Sequence, residues 1–220
     1  DIALGGQGAP LVPLGDRELF GKYEVCLNIG GIANWSGEIG GERKASDIAP
    51  ANMVFNFLAE RSGKPYDANG EMAASGKLIP GLLKELNELS FYRVDGPKSL
   101  GREWFEESFL PLLNKYQEPT ENLLRTCVEH CAQQIAYSLR SIEKGTVFIT
   151  GGGAYNHFLI ERIKENTHLA IHIPDKAIIE FKEAIIFAFL AWRRIHHKTT
   201  ALASVTGASQ DSSGGAVFFP

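Results

Sequence analysis

Gly151-Gly152-Gly153-Ala154-Tyr155-Asn156 joins an apolar β-type run, residues 146–150, to an amphipathic segment that ends at Asn166. A strand, a glycine turn and a helix N-terminus in this order suit a phosphorylated ligand. Glycine lets the backbone come close to the ligand, and a helix start favours negative charge. A second glycine turn, residues 28–34 (NIGGIAN), follows another apolar run. Two such turns predict a nucleotide that is bound from two sides.

The composition is that of an ordinary globular protein, with 220 residues, 44% of them hydrophobic, and a formal net charge of −4. No run of Lys or Arg stands out, so nucleic acid is disfavoured as the main ligand. The longest apolar stretch, Ala184 to Trp192, is far shorter than the ~20 residues that span a bilayer, so no membrane partner is expected. Three cysteines without a CxxC pair point to a reducing compartment.

Hydrophobic periodicity predicts an α/β fold with a mixed sheet and flanking helices. The Gly40-Gly41 pair is typical of a hairpin between the second and third strands. Strands are expected at 24–29, 32–38, 43–48, 146–150 and 169–173. Helices are expected at 50–62, 79–89, 118–143, 156–166 and 181–196.

Two segments carry further structural expectations. Residues 1–22 show no helical or strand period, and their aliphatic side chains favour an ordered loop or crossover over a solvated linker. The last helix, 181–196, is apolar nearly all round, which predicts that it is buried.

Several charged residues are open to two interpretations from position alone. Asp1 either presents a carboxylate beside a ligand or is a terminal residue with no role. Glu183 either offsets the dipole of its helix or points into a cleft. Lys98 and Arg102 either bind a phosphate or carboxylate or are solvated surface charges, and their spacing favours the second interpretation.

The glycine turns favour a cleft between two lobes. The GxGxxG and GxxxxGK[ST] fingerprints are absent from the sequence, and two separated turns do not fit a single switch point. Phosphoryl transfer needs donors around the phosphates, a metal ion and a positioned base. Backbone amides at Gly30 and Gly31 would supply donors, and an acid at the cleft mouth would supply the base.

Six motifs occur in the order found in anhydro-N-acetylmuramic acid kinases, and the chain resembles this family of the sugar-kinase/actin superfamily over practically its whole length. They are 1–13 (DIALGGQGAPLVP), 27–34 (LNIGGIAN), 97–103 (PKSLGRE), 151–156 (GGGAYN), 183–192 (EAIIFAFLAW) and 205–208 (VTGA). The resemblance implies an actin/sugar-kinase-like (ribonuclease H-like) nucleotide-binding lobe at 23–220. It also implies a crossover segment at 1–22 from an N-terminal lobe that this chain does not contain. That lobe carries the family's first phosphate loop, so the chain alone is not expected to be a competent kinase.

The resemblance implies a definite reaction. Members of the family use ATP and water to open the 1,6-anhydro bridge of anhydro-N-acetylmuramic acid and phosphorylate the released primary hydroxyl. The product, N-acetylmuramic acid 6-phosphate, is used in recycling bacterial cell wall. ATP and Mg²⁺ are therefore the expected cofactors, with a sugar substrate, a cytoplasmic bacterial setting and a homodimer.

The resemblance also assigns roles to individual residues. Asp1 would be the general base that takes a proton from the attacking water, while the sugar's leaving oxygen attacks the γ-phosphate. Glu183 and Gln7 would contact the sugar. Nucleotide and phosphate contacts would come from Gly30, Gly31, Asn34, Gly151, Gly152, Gly153 and Asn156. No metal ligand is assigned.

One segment departs from the family pattern and keeps alternatives open. Where the family has DTGPGN, residues 47–52 read DIAPAN, and alanine does not take a positive φ cheaply. One alternative is a kinase of the same superfamily that acts on another sugar or sugar acid. Another is a non-catalytic relative that binds nucleotide or dimerises. A dinucleotide oxidoreductase is disfavoured because the sequence has no strand–GxGxxG–helix unit.

Overall fold

The fold is built on a five-stranded mixed sheet. The structure, a computed structural model, describes residues 1–94 and 96–218. The strands are β1 (Val25–Ile29), β2 (Ile32–Ile39), β3 (Glu42–Pro50), β4 (Thr146–Thr150) and β5 (Ala170–His172). Their order across the sheet is β3-β2-β1-β4-β5. The pairs β1–β2 and β2–β3 are antiparallel, whereas β1–β4 and β4–β5 are parallel. The predicted mixed sheet is confirmed.

Helices flank the sheet, and most of them follow the predicted periodicity. They are α1 (Val12–Phe20), α2 (Asn52–Glu60), α3 (Glu71–Ser75), α4 (Pro80–Asn87), α5 (Arg102–Trp104), α6 (Leu110–Lys115), α7 (Thr120–Ser138), α8 (His157–Asn166), α9 (Lys176–Ile195) and α10 (Ala203–Thr206). The fully buried face of α7 includes Leu124, Val128 and Ile135, which belong to the main hydrophobic core. That core also takes in residues of β1, β3, α2 and α8.

The prediction of a loop at 1–22 is wrong for α1. Leu14 on α1 forms a second small core with Ile186, Leu190 and Leu202. Gly15 lets the two helices approach, since a side chain there would overlap Ile186. Tertiary packing therefore stabilises a helix that has no clear period of its own. The division of the chain at residue 22 stays a prediction, and Asp95 and residues 219–220 of the predicted lobe lie outside the described residues.

The prediction that the last helix is buried is also wrong. The buried residues of α9 are Ile179, Lys182, Ile186 and Leu190, on one face. On the rest of the helix Phe181 is 57% exposed and Ile195 61% exposed, so an apolar sequence does not guarantee that every face is covered. None of the helices formed by the described residues is both long and apolar enough to cross a membrane.

Element boundaries differ from the predictions where glycine and proline stand. Pro50 ends β3 instead of starting α2, which begins two residues later at Asn52. The triple glycine does not lead directly into α8. It forms a 3₁₀ turn over Gly152–Tyr155, and α8 begins at His157.

The DIAPAN segment runs without a positive φ. Ala49 lies in β3 opposite Ala33, and Ala51 has φ of −125°. Among the described residues, Asn69 and His197 are the non-glycine positions with positive φ. Both alanines are fully buried, so their methyl groups pack in the core without the backbone strain that a left-handed conformation would cause.

Candidate active site

The two glycine turns lie side by side. Strands β1 and β4 are parallel neighbours, with Asn28 opposite Thr150, so both strands end at the same edge of the sheet. A cavity of about 1030 Å³ opens at this edge. The carboxyl ends of parallel strands are where open α/β sheets bind their ligands.

Six of the predicted site residues line this cavity, and they come from four separate parts of the chain. They are Gln7, Gly30, Asn34, Gly151, Gly152 and Glu183. Glu183 is exposed on α9, and the backbone amide of Gln7 donates to the Thr206 carbonyl oxygen at 3.0 Å. The fold therefore brings residues near the N-terminus of the chain together with residues near its C-terminus.

The glycines at 151 and 153 are required by close packing against β1. At Gly151, φ is +83° and an added Cβ would lie 2.6 Å from Oδ1 of Asn28. At Gly153, which does not line the cavity, an added side chain would overlap Ile29. Each glycine permits a contact between the two turns that a larger residue would block.

Asn52 connects the two turns to α2. Its backbone amide donates to the Gly30 carbonyl oxygen at 3.1 Å, and its side-chain Nδ2 donates to the Ile29 carbonyl oxygen at 3.3 Å. The same Nδ2 lies 3.4 Å from where a Cβ on Gly152 would stand. Gly31, which lies outside the cavity lining, accepts from the amides of Ala51 at 2.8 Å and Met53 at 3.1 Å. The glycine turns thus have a shared support in the DIAPAN segment.

Asn156 has a structural role at the start of α8. Its side chain is buried and its Oδ1 accepts from the Leu159 amide at 2.9 Å, which caps the helix. It does not line the cavity. Its predicted contact with a nucleotide stays a prediction.

Thr150 is a cavity residue that sequence reasoning missed. It is 1% exposed, and within residues 1–94 and 96–218 its Oγ1 has no hydrogen-bond partner. A buried hydroxyl is normally bonded, so an orphaned one on a cavity wall suits a polar ligand. The signal available in the sequence was its position immediately before the triple glycine.

Asp1 stands behind the cavity wall. Its Oδ2 accepts from the Gly8 amide at 2.8 Å, and its Oδ1 accepts from Thr206 Oγ1 at 2.8 Å. Thr206 and Gly207 line the cavity, but Asp1 itself does not. Both carboxylate oxygens are therefore engaged in holding the chain segment together.

Asp47 is a carboxylate that lines the cavity directly. Its Oδ2 accepts from the Leu100 amide at 2.8 Å, and burial raises the pKa of its carboxyl above the usual range. A carboxyl with a raised pKa in a cleft is a candidate acid or base. The sequence offered a signal, since Asp47 and Asn52 both match the family's DTGPGN segment although its two glycines are alanines here.

Lys98 also lines the cavity, whereas Arg102 does not. The Nζ of Lys98 donates to the carbonyl oxygens of Phe91 at 2.9 Å and Val94 at 3.0 Å. Arg102 pairs with Glu106 at 2.7 Å and is exposed. Lys98 is thus the cation of this loop that a ligand in the cavity would meet.

Below the cavity lies a buried cluster of charges. Lys182 Nζ lies 2.8 Å from Asp16 Oδ1, and Arg43 Nη2 lies 4.0 Å from Asp16 Oδ2. Ser36 connects them, because its Oγ donates to Asp16 at 2.6 Å and accepts from Arg43 at 2.8 Å. All four residues are at most 5% exposed. Sequence reasoning missed this cluster, whose members are far apart along the chain.

Metal-ligating side chains do not cluster in the part of the chain that the structure describes, where no group of three or more His, Cys, Asp or Glu can hold an ion. A set of three or more such side chains is thus not available among the described residues. Mg²⁺ is commonly held by one or two carboxylates together with substrate phosphates and water.

Comparison with known proteins gives consistent results. The profile of the anhydro-N-acetylmuramic acid kinase family matches residues 1–220. The kinase of this name from Actinobacillus pleuropneumoniae serotype 7 is 37% identical, over 99% of this chain and 63% of that protein. The one from Sulfurovum sp. is also 37% identical, over 99% of this chain and 62% of that protein. The chain thus spans less than two thirds of these curated relatives.

A solved structure supports the fold independently. Component A of (R)-2-hydroxyglutaryl-CoA dehydratase from Acidaminococcus fermentans superposes with a TM-score of 0.50 at 14% identity, covering 80% of this chain and 63% of that one. A likeness at this identity concerns the fold alone. The actin/sugar-kinase-like α/β fold expected from the sequence is confirmed.

Proposed function

The chain belongs to the anhydro-N-acetylmuramic acid kinase family, and on this premise we propose that the whole protein is an ATP-dependent phosphotransferase acting on a sugar. Its substrate would be 1,6-anhydro-N-acetylmuramic acid, opened by water and converted to N-acetylmuramic acid 6-phosphate during cell-wall recycling. The observation that carries the proposal is the adjacency of two glycine turns on one cavity.

The residues present fit a nucleoside triphosphate. The cavity of about 1030 Å³ is at the upper end of the ~300–1,000 Å³ typical of ligand sites. Glycines at 30, 151 and 152 leave the backbone open to phosphate oxygens, and Thr150 adds a buried hydroxyl without another partner among the described residues. ATP would supply the phosphoryl group, and Mg²⁺ would neutralise charge on its phosphates.

The general base would be a carboxylate at or beside this cavity, and there are two candidates. The family resemblance assigns it to Asp1, whose oxygens are both bonded to Gly8 and Thr206. The geometry favours Asp47, which lines the cavity and whose burial raises its pKa, so that it holds a proton more readily. The base would take a proton from water as that water attacks the anomeric carbon.

Glu183 and Gln7 remain our candidates for sugar contacts. Both line the same cavity as the glycine turns, although Gln7 and Glu183 lie outside those turns in the sequence. A carboxylate and an amide are the polar groups that bind sugar hydroxyls through directional hydrogen bonds. We further propose that the protein acts as a homodimer in the bacterial cytoplasm, as the family resemblance implies.

The test is phosphorylation of 1,6-anhydro-N-acetylmuramic acid by the whole protein, with Asp47→Asn and Asp1→Asn measured in parallel. We expect Asp47→Asn to lower kcat by ~100-fold or more, the usual range for loss of a general base. Asp1→Asn should act mainly through stability, because one of the two oxygens that accept from Gly8 and Thr206 becomes an NH2 donor. A protein that transfers phosphate to other sugars but not to the anhydro sugar would contradict the proposed substrate.

A further inference from the structure

The buried charges under the cavity do not balance. Lys182 and Arg43 are both cations, while Asp16 is the one carboxylate that they share among residues 1–94 and 96–218. Cys26 lies beside them but adds no negative charge, because burial raises the pKa of its thiol to about 11. Buried charges are costly unless they are paired, so a surplus positive charge here favours a negatively charged partner.

A negatively charged ligand can reach this cluster through the cavity. Asp16, Cys26, Ser36 and Lys182 all line it, whereas Arg43 lies behind Ser36. The Lys182 ammonium is also 5.9 Å from the ring centroids of both Phe20 and Phe148. Apolar rings around a cation lower the local dielectric and strengthen its attraction for an anion.

We infer that this floor of the cavity, centred on Lys182 and held by Asp16, is a subsite that binds the carboxylate of an acidic sugar and so selects it over its neutral counterpart. The inference rests on the proposed function, since a sugar acid is the substrate named there. Lys182 would bind the carboxylate as a compact point charge.

Nucleotide phosphates and two nearby glutamates also bear on the assignment of this subsite to a sugar carboxylate. The phosphates of a nucleotide share the same chemistry, and Lys182→Met separates the two ligands, because a phosphate bound at Lys182 would make the variant lose ATP affinity and keep its preference for the acidic sugar. Glu180 and Glu183 also line the cavity, and both are exposed, so water and salt screen their repulsion more than they screen the buried lysine's attraction.

The test compares binding of N-acetylmuramic acid and N-acetylglucosamine, which lacks the carboxylate, to the whole protein by calorimetry. We expect the acidic sugar to bind more tightly, and Lys182→Met to lower its affinity by about 10- to 100-fold, the range for hydrogen bonds to charged groups. The affinity for the neutral sugar should change little. The matched control is Lys164→Met on α8, an exposed lysine that does not line the cavity.

A second variant keeps the test decisive where Lys182→Met fails to fold. Lys182→Gln keeps a hydrogen-bond donor for Asp16 without the positive charge, so it should lower the preference for the acidic sugar and leave the affinity for the neutral sugar little changed. A purely structural role for the pair would lower binding of both sugars alike in either variant, and that result would overturn the inference.

The remaining outcomes separate this inference from the proposed function. Two results for Lys182→Met would overturn the subsite while the kinase assignment stands. One is an unchanged preference for the acidic sugar. The other is a loss of ATP affinity with the sugar preference kept. Absence of phosphate transfer to any anhydro sugar, with the carboxylate preference present and lost in Lys182→Met, would remove the kinase assignment and support the subsite.

Discussion

Gly151 packs so closely against Asn28 that a methyl group on the glycine would lie 2.6 Å from Oδ1 of the asparagine. The glycine also has φ of +83°, which L side chains rarely adopt. These two constraints hold the turn after β4 against the end of β1. The contact explains why a glycine is needed at this point of the candidate nucleotide site.

Replacing Gly151 with alanine should therefore harm both stability and ligand binding. We expect a loss of about 1–3 kcal/mol of unfolding free energy from the positive φ with an extended ψ, and weaker ATP binding because Asn28 must move. Chemical denaturation and calorimetry measure the two effects. The control is Gly214→Ala, since no described atom lies within 4 Å of a Cβ there and its φ is not positive. Equal effects of the two variants would contradict the prediction.

The orphaned hydroxyl of Thr150 should matter to ligand and not to fold. Thr150→Val keeps the shape, so we expect unchanged or slightly higher stability without ligand and an ATP affinity about 3- to 10-fold lower. The contrasting control is Thr126→Val. The hydroxyl of Thr126 donates to the Asn122 carbonyl oxygen at 2.8 Å and accepts from the Ile79 amide at 3.0 Å.

Thr126→Val should cost about 1–3 kcal/mol of unfolding free energy and leave ATP affinity as it is, because the partly buried Ile79 amide and the Asn122 carbonyl oxygen lose their partner. If Thr150→Val instead destabilised the protein and left ATP binding unchanged, the hydroxyl would have a structural partner and no role toward nucleotide.

Asn156 offers a test between a helix cap and a nucleotide contact. Asn156→Ala should lower stability by about 1 kcal/mol, because the Leu159 amide loses its acceptor. Asn156→Asp keeps an acceptor and should restore most of that stability. We expect neither variant to change ATP affinity by calorimetry. Weaker ATP binding in the stable Asp variant would show instead that the side chain contacts the nucleotide.

His130 should make stability depend on pH in the acid range. It is fully buried between Asn87 Oδ1 at 2.7 Å and the Tyr92 hydroxyl at 2.9 Å, and burial lowers its pKa from 6.5 to about 3. Between these values the unfolded chain binds one more proton than the folded one. This histidine therefore contributes stability above pH 6.5 and loses it as the pH falls toward 3, by about 1.4 kcal/mol per pH unit.

The measurement is the unfolding free energy between pH 4.5 and 7 for the unchanged protein and His130→Gln. The variant should show a shallower slope by about one proton, whatever its absolute stability. His157→Gln, at an exposed position on α8, is the control and should keep the original slope. Parallel slopes for His130→Gln and the unchanged protein would contradict a neutral buried imidazole.

Local patterns predicted the sheet well, because its strands have local causes. The run at Thr146–Thr150 is a strand over those very residues, and the Gly40-Gly41 turn joins β2 to β3. Alternation, apolar runs and glycine turns depend on neighbouring residues, so they are visible in the sequence. The position of the two glycine turns at one edge depends on the parallel pairing of β1 with β4, which the sequence patterns did not specify.

Features that depend on distant contacts were not predictable in this way. Helix α1 forms because Leu14 and Gly15 meet Ile186 of α9, which is far along the chain. The pair of Asp16 and Lys182 is equally remote in sequence, and nothing near either residue marks it. The exposed face of α9 was predicted to be core because its residues are apolar. The sequence pattern gives the polarity of each helix face, but it does not show which faces another element covers.

Asn52 has a mechanical consequence for the site. Its amide and side chain donate to the Gly30 and Ile29 carbonyl oxygens, so the first turn of α2 is bonded to the first glycine turn, and the same side chain lies beside Gly152 of the second. We expect these three segments to move together, so that a hinge that opens or closes the cavity would lie elsewhere along its rim. Low and uniform hydrogen-exchange rates across these segments would be the signature of such a unit.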